Sequence, residues 1–406
     1  MGFPSPSLAP FLTLFLVFFV ANGQSSVRPF FIFGDSVVDV GNNNHIYTFI
    51  KTNFPPYGRD FVTHEPTGRF CNGKLATDFI ADMLGLTYPP PYLSERDRGT
   101  NLLIGANFAS ASSSYYDATT NLYHAIPLSR QLWYDREYQN RLPAVEGRSN
   151  VASIISRAIF LVSAGSSDFL QNYYINPLLY LALIPDRFSD ILIQSYMRFI
   201  QRLYALGARR IGVTTLLPIG CLPATITIFG MGSNVCVERL NNDAVSFNYK
   251  LNATFHWLQN NLHDLKLVVF DATNLFMKLP QTLQNMVHQL LLIWFFEVRR
   301  ACCGTGLLET SILCNQESIG RVQMHQNTYS GTVYIPRRLR TIIWLPENHN
   351  HDMAHGYLMA EKQFEKKKWM KGREEEAEEE ERTCCKVGTG NVEEIKKTRS
   401  LDGEWC

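Results

Sequence analysis

Ser36 is the residue whose type and position most directly suggest chemistry. It stands in FIFGDSVVDVGNNN (31–44), where an apolar run of strand length ends at Gly-Asp-Ser and a polar, asparagine-rich turn follows. Ligands of open α/β sheets bind outside the carboxyl ends of the strands, and a serine there can be a nucleophile if a histidine takes its proton. The alternative is structural, because Asp35 and Ser36 are also typical helix-capping residues. Gly-Asp-Ser alone favours the capping interpretation.

The base and the acid that such a nucleophile needs must come from elsewhere in a chain with ten histidines. Asp-x-x-His, a spacing that can place an acid beside a base, occurs once, at Asp352 and His355 in NHNHDMAHGY. A chance match is the alternative, and a histidine-rich tract could also bind a metal ion adventitiously. Further candidates stand in loop-like, helical or apolar stretches, namely His45, His64, His124, His256, His263 and His288.

Apolar runs of strand length, separated by helical stretches, would position these side chains. The runs are residues 29–33, 158–164, 210–215 and 265–270. Near-continuous apolar runs suit parallel strands that are buried on both faces. Apolar residues recur at helical spacing over 187–206 and 237–262, and Gly207 is a natural end for the first helix. The alternation predicts an α/β fold with an open, mostly parallel sheet covered by helices.

Composition narrows the class of protein. The chain has 406 residues, 46% hydrophobic and 18% charged, with a formal net charge of +1. A large core is therefore available, and no basic footprint predicts a nucleic-acid partner. Nine cysteines fit an oxidising compartment, with Cys221 and Cys236 a plausible bridge and Cys302, Cys303 and Cys314 offering another. No Cys-x-x-Cys pair is present, so no metal site is predicted.

The two ends of the chain differ from its middle. Residues 1–26 contain an apolar stretch (11–21) too short to span a bilayer, which predicts a signal peptide, a secreted protein and no stable membrane span. An uncleaved anchor is the alternative, and with it a membrane-anchored interaction protein whose charged tail is functional. That tail, residues 361–406, is rich in Lys and then Glu and is predicted to be solvated or disordered.

Several motifs, in the same order along the chain, together resemble those of a protein family. They are FIFGDSVVDVGNNN, PPYGRDF (55–61), PTGRFCNGK (66–74), GANFASA (105–111), VSAGSSDF (162–169), LLPIGCLPA (216–224) and CCGTG (302–306). Together they resemble the plant GDSL esterase/lipase family of SGNH hydrolases. The resemblance implies a three-layer α/β/α SGNH-hydrolase-like domain over residues 27–320, followed by a divergent segment, 321–360.

The resemblance also implies roles for individual residues. Ser36 matches the nucleophile, and its backbone amide matches one donor of the oxyanion hole. Gly105 matches a second donor. Ser167 stands where the family usually has an asparagine, the third donor. A serine hydroxyl is shorter and rotates freely, so the site is expected to be weaker, by less than the roughly 10²–10³ lost with a missing donor.

The acid and base that the family would supply are the part of the resemblance that this sequence matches least well. The family places Asp-x-x-His shortly after the CCGTG region, followed by Pro, but the resemblance stops at residue 321. Asp352 and His355 are therefore the expected pair, although they come late and lack the Pro. The predicted function is a secreted serine esterase or lipase that hydrolyses small-molecule or lipid acyl esters without a cofactor. The alternative is an impaired or inactive homologue that retains the fold and binds esters or polysaccharide.

Overall fold

The computed structural model describes residues 28–272, except 56, 95–99 and 234. The predicted signal peptide (1–26), the cysteines after residue 300, Asp352, His355 and the charged tail (361–406) lie outside the described residues. The boundaries predicted for the domain (27–320) and the divergent segment (321–360) stay predictions for the same reason.

Parallel strands form the centre of the described fold. They are β1 (Phe30–Gly34), β2 (Ile159–Ser163), β3 (Arg210–Thr214) and β4 (Lys266–Phe270), in the order β1-β2-β3-β4. Each coincides with a predicted apolar run to within about one residue, and every pairing between them is parallel. All residues of β1 are buried. The predicted parallel sheet is therefore confirmed, and its carboxyl edge collects the segments that follow each strand.

An extended segment, 105–110, lies along the free side of β1. Ile32 donates its N–H to Ala106 O, Phe108 donates to Ile32 O, and Ser110 donates to Gly34 O. The direction is parallel to β1, as the bridge between Ile32 and Asn107 records. The end of this segment therefore reaches the same sheet edge as the end of β1.

Helices surround the sheet and complete a three-layer α/β/α domain. In the described residues they are α1 (Ala76–Leu84), α2 (Asp117–Leu122), α3 (Leu128–Arg141), α4 (Pro143–Glu146), α5 (Arg148–Arg157), α6 (Ser166–Asp168), α7 (Pro177–Ala182), α8 (Pro185–Ala205), α9 (Pro223–Phe229) and α10 (Glu238–Asn261), with a π-helical turn at Phe169–Tyr173. The predicted helices over 187–206 and 237–262 are α8 and α10. Gly207 follows α8 with φ +102°, the left-handed conformation expected of a helix stop.

Aromatic contacts join the helices to β1. Phe31 packs edge-on against Tyr138 of α3, with ring centroids 5.4 Å apart, and Phe33 against Phe199 of α8 at 5.6 Å. Cys221 and Cys236 form a disulfide, which confirms the predicted bridge. None of the helices described between residues 28 and 272 combines the length and apolar composition needed to cross a bilayer.

Candidate active site

Ser36 lies in the turn that leaves the carboxyl end of β1, and Gly34 allows that turn to form. Gly34 and Ser163 are aligned at the ends of the neighbouring strands β1 and β2. A Cβ on Gly34 would lie 1.9 Å from Ser163 O, and its φ of +142° is one that other residues rarely adopt. Asp35 N–H then donates to the same carbonyl at 3.0 Å. Ser36 is half-buried, and its hydroxyl has no hydrogen-bond partner among the described residues.

Asp35 connects the turn of Ser36 to the segment after β2. Its Oδ1 accepts the N–H of Val37 at 3.0 Å, and its Oδ2 accepts the hydroxyl of Ser166 at 2.8 Å. The carboxyl group is buried, and this loss of solvation raises its pKa to about 6 in spite of these bonds. Because both oxygens are engaged within the fold, Asp35 serves to position the turn.

Ser167 stands at the start of the segment after β2, next to Ser166. Helix α6 begins directly behind Gly165, and Ser167 is buried, with 2% of its surface exposed. Since Ser166 is bonded to Asp35, Ser167 lies at the same sheet edge as Ser36. The described residues provide no hydrogen-bond partner for its hydroxyl, so that group can donate to a ligand.

Asp168 attaches a third segment to this edge. One carboxylate oxygen accepts the N–H of Tyr115 at 2.9 Å, and the other accepts the N–H of Tyr116 and the hydroxyl of Thr119, each at 3.1 Å. Burial raises the pKa of Asp168 to about 8, although these three donors oppose the rise. The carboxyl group therefore fixes the chain after residue 114 against the start of α6.

The residues 110–114, here called the edge loop, lie between this anchor and β1. Ser110 N–H donates to Gly34 O at 3.0 Å, and Ala111 N–H donates to the buried carboxylate of Asp39 at 3.0 Å. Ser112 has φ +68°, which is uncommon for a residue other than glycine. Its fully buried hydroxyl has no partner among the described residues, and none of them accepts its backbone N–H. An unusual backbone conformation with unused polar groups is typical of functional sites.

Gly105 is not part of this arrangement. An added Cβ would lie 2.2 Å from Phe30 O, which places Gly105 beside the first residue of β1. The strand then advances about 13 Å before Gly34, at about 3.3 Å per residue. The structure therefore does not bring Gly105 N–H to Ser36, and it explains the glycine by its close approach to β1 and its φ of +98°. The oxyanion role predicted for Gly105 is not supported by this placement.

The histidines of the described residues lie at the surface. His45, His64, His124, His256 and His263 are exposed, and none of these described side chains is hydrogen-bonded to Ser36. His64 is instead bonded through Nδ1 to the backbone oxygen of Arg59. The expected pair, Asp352 and His355, lies outside the described residues. Ser36 and Ser167 thus follow neighbouring strands at one sheet edge, while Gly105 lies beside the start of β1.

Two parts of the site were missed by sequence reasoning. The first is the edge loop. Its place near Ser36 follows from the way residues 105–110 run parallel to β1, which only the structure shows. The second is Gln131, a fully buried side chain of α3 that bonds to both backbone polar groups of Gly34. It lies 97 residues from Gly34 in the sequence, and no local sequence pattern predicts the contact.

Comparisons with known proteins show which family the chain is similar to. The family model described as GDSL-like lipase/acylhydrolase matches residues 30–332. The GDSL esterase/lipase At5g22810 of Arabidopsis thaliana is 60% identical over 309 residues, covering 75% of this chain and 83% of the relative. At5g03810, of the same name and organism, is 59% identical over 303 residues, with 74% and 84% covered. The Arabidopsis GDSL esterase/lipase APG is 54% identical over 290 residues, with 71% and 80% covered.

Proposed function

The chain belongs to the GDSL-like lipase/acylhydrolase family and is a hydrolase that acts on ester bonds; within that class, we propose that it cleaves acyl esters through a covalent acyl-enzyme on Ser36. One observation carries the proposal. Ser36 and Ser167 follow neighbouring parallel strands and are linked through the bond between Asp35 and Ser166. A nucleophile and an anion-stabilising donor thus share one sheet edge, as acyl transfer requires.

In the proposed reaction, Ser36 Oγ attacks the ester carbonyl while a histidine takes the hydroxyl proton. The tetrahedral oxyanion is held by donors, the alcohol leaves with the proton from the histidine, and water releases the acid by the same steps. His355, oriented by Asp352, is the proposed base. The residues themselves provide proton transfer and anion stabilisation, so the proposal includes no cofactor.

The proposed oxyanion donors are the backbone N–H of Ser36, the Ser167 hydroxyl and the backbone N–H of Ser112. Ser112 replaces Gly105 because the edge loop, and not the start of the 105–110 segment, reaches the carboxyl edge of the sheet. Its N–H has no acceptor among the described residues, as a group reserved for a ligand requires. Backbone donors are effective because the fold holds them in place before the charge develops.

We also propose that the mature protein is extracellular and that its substrate is a small or lipid-like acyl ester. The apolar stretch at residues 11–21 supports secretion, and the disulfide between Cys221 and Cys236 fits an oxidising compartment. N-terminal sequencing of the protein from its native medium tests the first point. A mature chain that starts near residue 27 supports secretion, whereas an intact residue 1 would contradict it.

Hydrolysis of p-nitrophenyl acetate by the purified full chain tests the enzyme. Wild type should turn over, and Ser36→Ala and His355→Ala should each lose on the order of 10⁴–10⁶ of kcat, since both groups act in one unit. His124→Ala is the matched control, because this histidine is exposed and not bonded to Ser36. Activity retained in His355→Ala would discard that base. A wild type without turnover would favour the impaired homologue.

A further inference from the structure

Gln131 makes an unusual set of contacts for a side chain outside the proposed catalytic group. Its Oε1 accepts the N–H of Gly34 at 2.9 Å, and its Nε2 donates to Gly34 O at 3.0 Å. Nε2 also lies 2.9 Å from Ser113 Oγ and 3.1 Å from Ile126 O. The side chain is completely buried. One amide group therefore pairs with β1 as a neighbouring strand would, at the last residue before the turn of Ser36.

The contacts join two segments that the proposed reaction uses together. Gly34 is two residues before Ser36, and Ser113 is the residue after Ser112 in the edge loop. Nε2 is within 3.0 Å of Gly34 O and 2.9 Å of Ser113 Oγ, so the separation of these two oxygens is set through a single nitrogen. Resting on the proposed function, we propose that Gln131 is a positioning residue that holds the nucleophile turn at a fixed distance from the edge loop.

The consequence for catalysis follows from the precision that acyl transfer needs. The attacking oxygen and the oxyanion donors must match one tetrahedral geometry, and a displacement of about 1 Å can cost on the order of 10² in rate. Backbone and carboxylate bonds also hold these segments, because Ser110 N–H donates to Gly34 O, Asp35 N–H to Ser163 O, and Ala111 N–H to the Asp39 carboxylate. Without Gln131, both segments would stay in the fold but would lose the connection through its amide.

A purely structural role makes a different prediction. If Gln131 only satisfied buried backbone groups, its loss would lower stability while each folded molecule kept its turnover. Gln139 provides the comparison, because it lies two turns further along α3, about 12 Å away, and bonds to the buried carboxylate of Asp135. Gln139→Leu removes a half-buried amide contact of the same helix without touching Gly34 or the edge loop.

The experiment measures kcat and KM of the full chain for p-nitrophenyl acetate, with each preparation titrated by diethyl p-nitrophenyl phosphate to count reactive Ser36. Gln131→Leu should lower kcat per titrated site roughly 10- to 100-fold with little change in KM. Gln139→Leu should keep kcat per site while its melting temperature falls.

Gln131→Glu is the second variant, and it remains informative if the leucine variant folds poorly. A protonated carboxyl group can accept from Gly34 N–H and donate its single proton to Gly34 O, while the Ser113 hydroxyl can turn to donate to the same group; the ionised form cannot donate to Gly34 O. Its kcat relative to wild type should therefore rise as the pH falls from about 8 to about 5, because burial favours the protonated form.

The outcomes separate the two ideas. A wild type that shows no turnover overturns the proposed function and, with it, this inference. Wild-type turnover with an unchanged kcat per site in Gln131→Leu, or a Gln131→Glu kcat that is below wild type at pH 8 and does not recover at pH 5, overturns the inference alone. The expected loss in the leucine variant together with the pH-dependent recovery in the glutamate variant supports it.

Discussion

Gly34→Ala is the substitution whose effect can be worked most directly from the structure. The new Cβ would lie 1.9 Å from Ser163 O, about 1 Å closer than real contacts of this kind allow. Gly34 and Ser163 are paired residues of neighbouring strands, so the ends of β1 and β2 must separate, and the φ of +142° adds strain. Overpacking and backbone strain each cost about 1–3 kcal/mol, so the expected loss of stability is on the order of 2–6 kcal/mol.

The same separation should move the nucleophile. The turn of Ser36 begins one residue after Gly34, and a shift of about 1 Å corresponds to on the order of 10² in kcat. Gly85→Ala is the matched control, since Gly85 has φ +65° but nothing within 4 Å of an added Cβ. It should cost only about 1–2 kcal/mol and leave kcat unchanged. Thermal unfolding and p-nitrophenyl acetate hydrolysis measure both effects. A Gly34→Ala protein that equals Gly85→Ala in both would refute the reasoning.

Further predictions concern the edge loop, the buried carboxyl group of Asp168 and the disulfide. Ser112→Gly should raise the unfolding free energy by about 1 kcal/mol, because it relieves a positive φ and removes a buried hydroxyl without a partner among the described residues. The variant keeps the backbone N–H of residue 112, so its kcat should not change. A loss of about tenfold in kcat would contradict this. Burial raises the pKa of Asp168 to about 8, so the folded state holds that proton between about pH 4 and 8 and stability should fall as pH rises through this window. Urea unfolding should show a shallower fall for Asp168→Asn, and equal slopes would count against the assignment. Replacing Cys221 and Cys236 by serine should lower the unfolding free energy by about 3 kcal/mol for a bridge across 15 residues, and an unchanged urea midpoint would contradict this.

Much of the fold could be predicted because buried parallel strands leave a simple trace in the sequence. β3 (Arg210–Thr214) coincides with its predicted run, since its three central residues, Ile211 to Val213, are buried and carry no polar side chain to interrupt the pattern. The turn that contains Ser36 could be located equally well, because it follows an apolar run within a distinctive motif. The disulfide was predictable because its two cysteines flank one loop.

The rest of the site depends on long-range geometry that local sequence does not encode. Gly105 begins its motif, but the chain runs the length of β1 before it reaches the sheet edge, so the edge loop is near Ser36 and Gly105 is not. Gln131 looks like an ordinary polar residue of an amphipathic helix until the fold places it against Gly34. Asp168 ends an apparent strand motif, and only the structure shows that it secures Tyr115 and the loop before it.

The central claim is that Ser36 is the nucleophile, and covalent labelling tests it most directly. Diethyl p-nitrophenyl phosphate transfers its phosphoryl group to an activated serine, with the new bond at Oγ and p-nitrophenolate as the leaving group. Mass spectrometry of the digested full chain should find one diethylphosphoryl adduct, on the peptide that contains Ser36, and none in Ser36→Ala. Ester hydrolysis that persists in a protein labelled at another residue, or in Ser36→Ala itself, would contradict the claim.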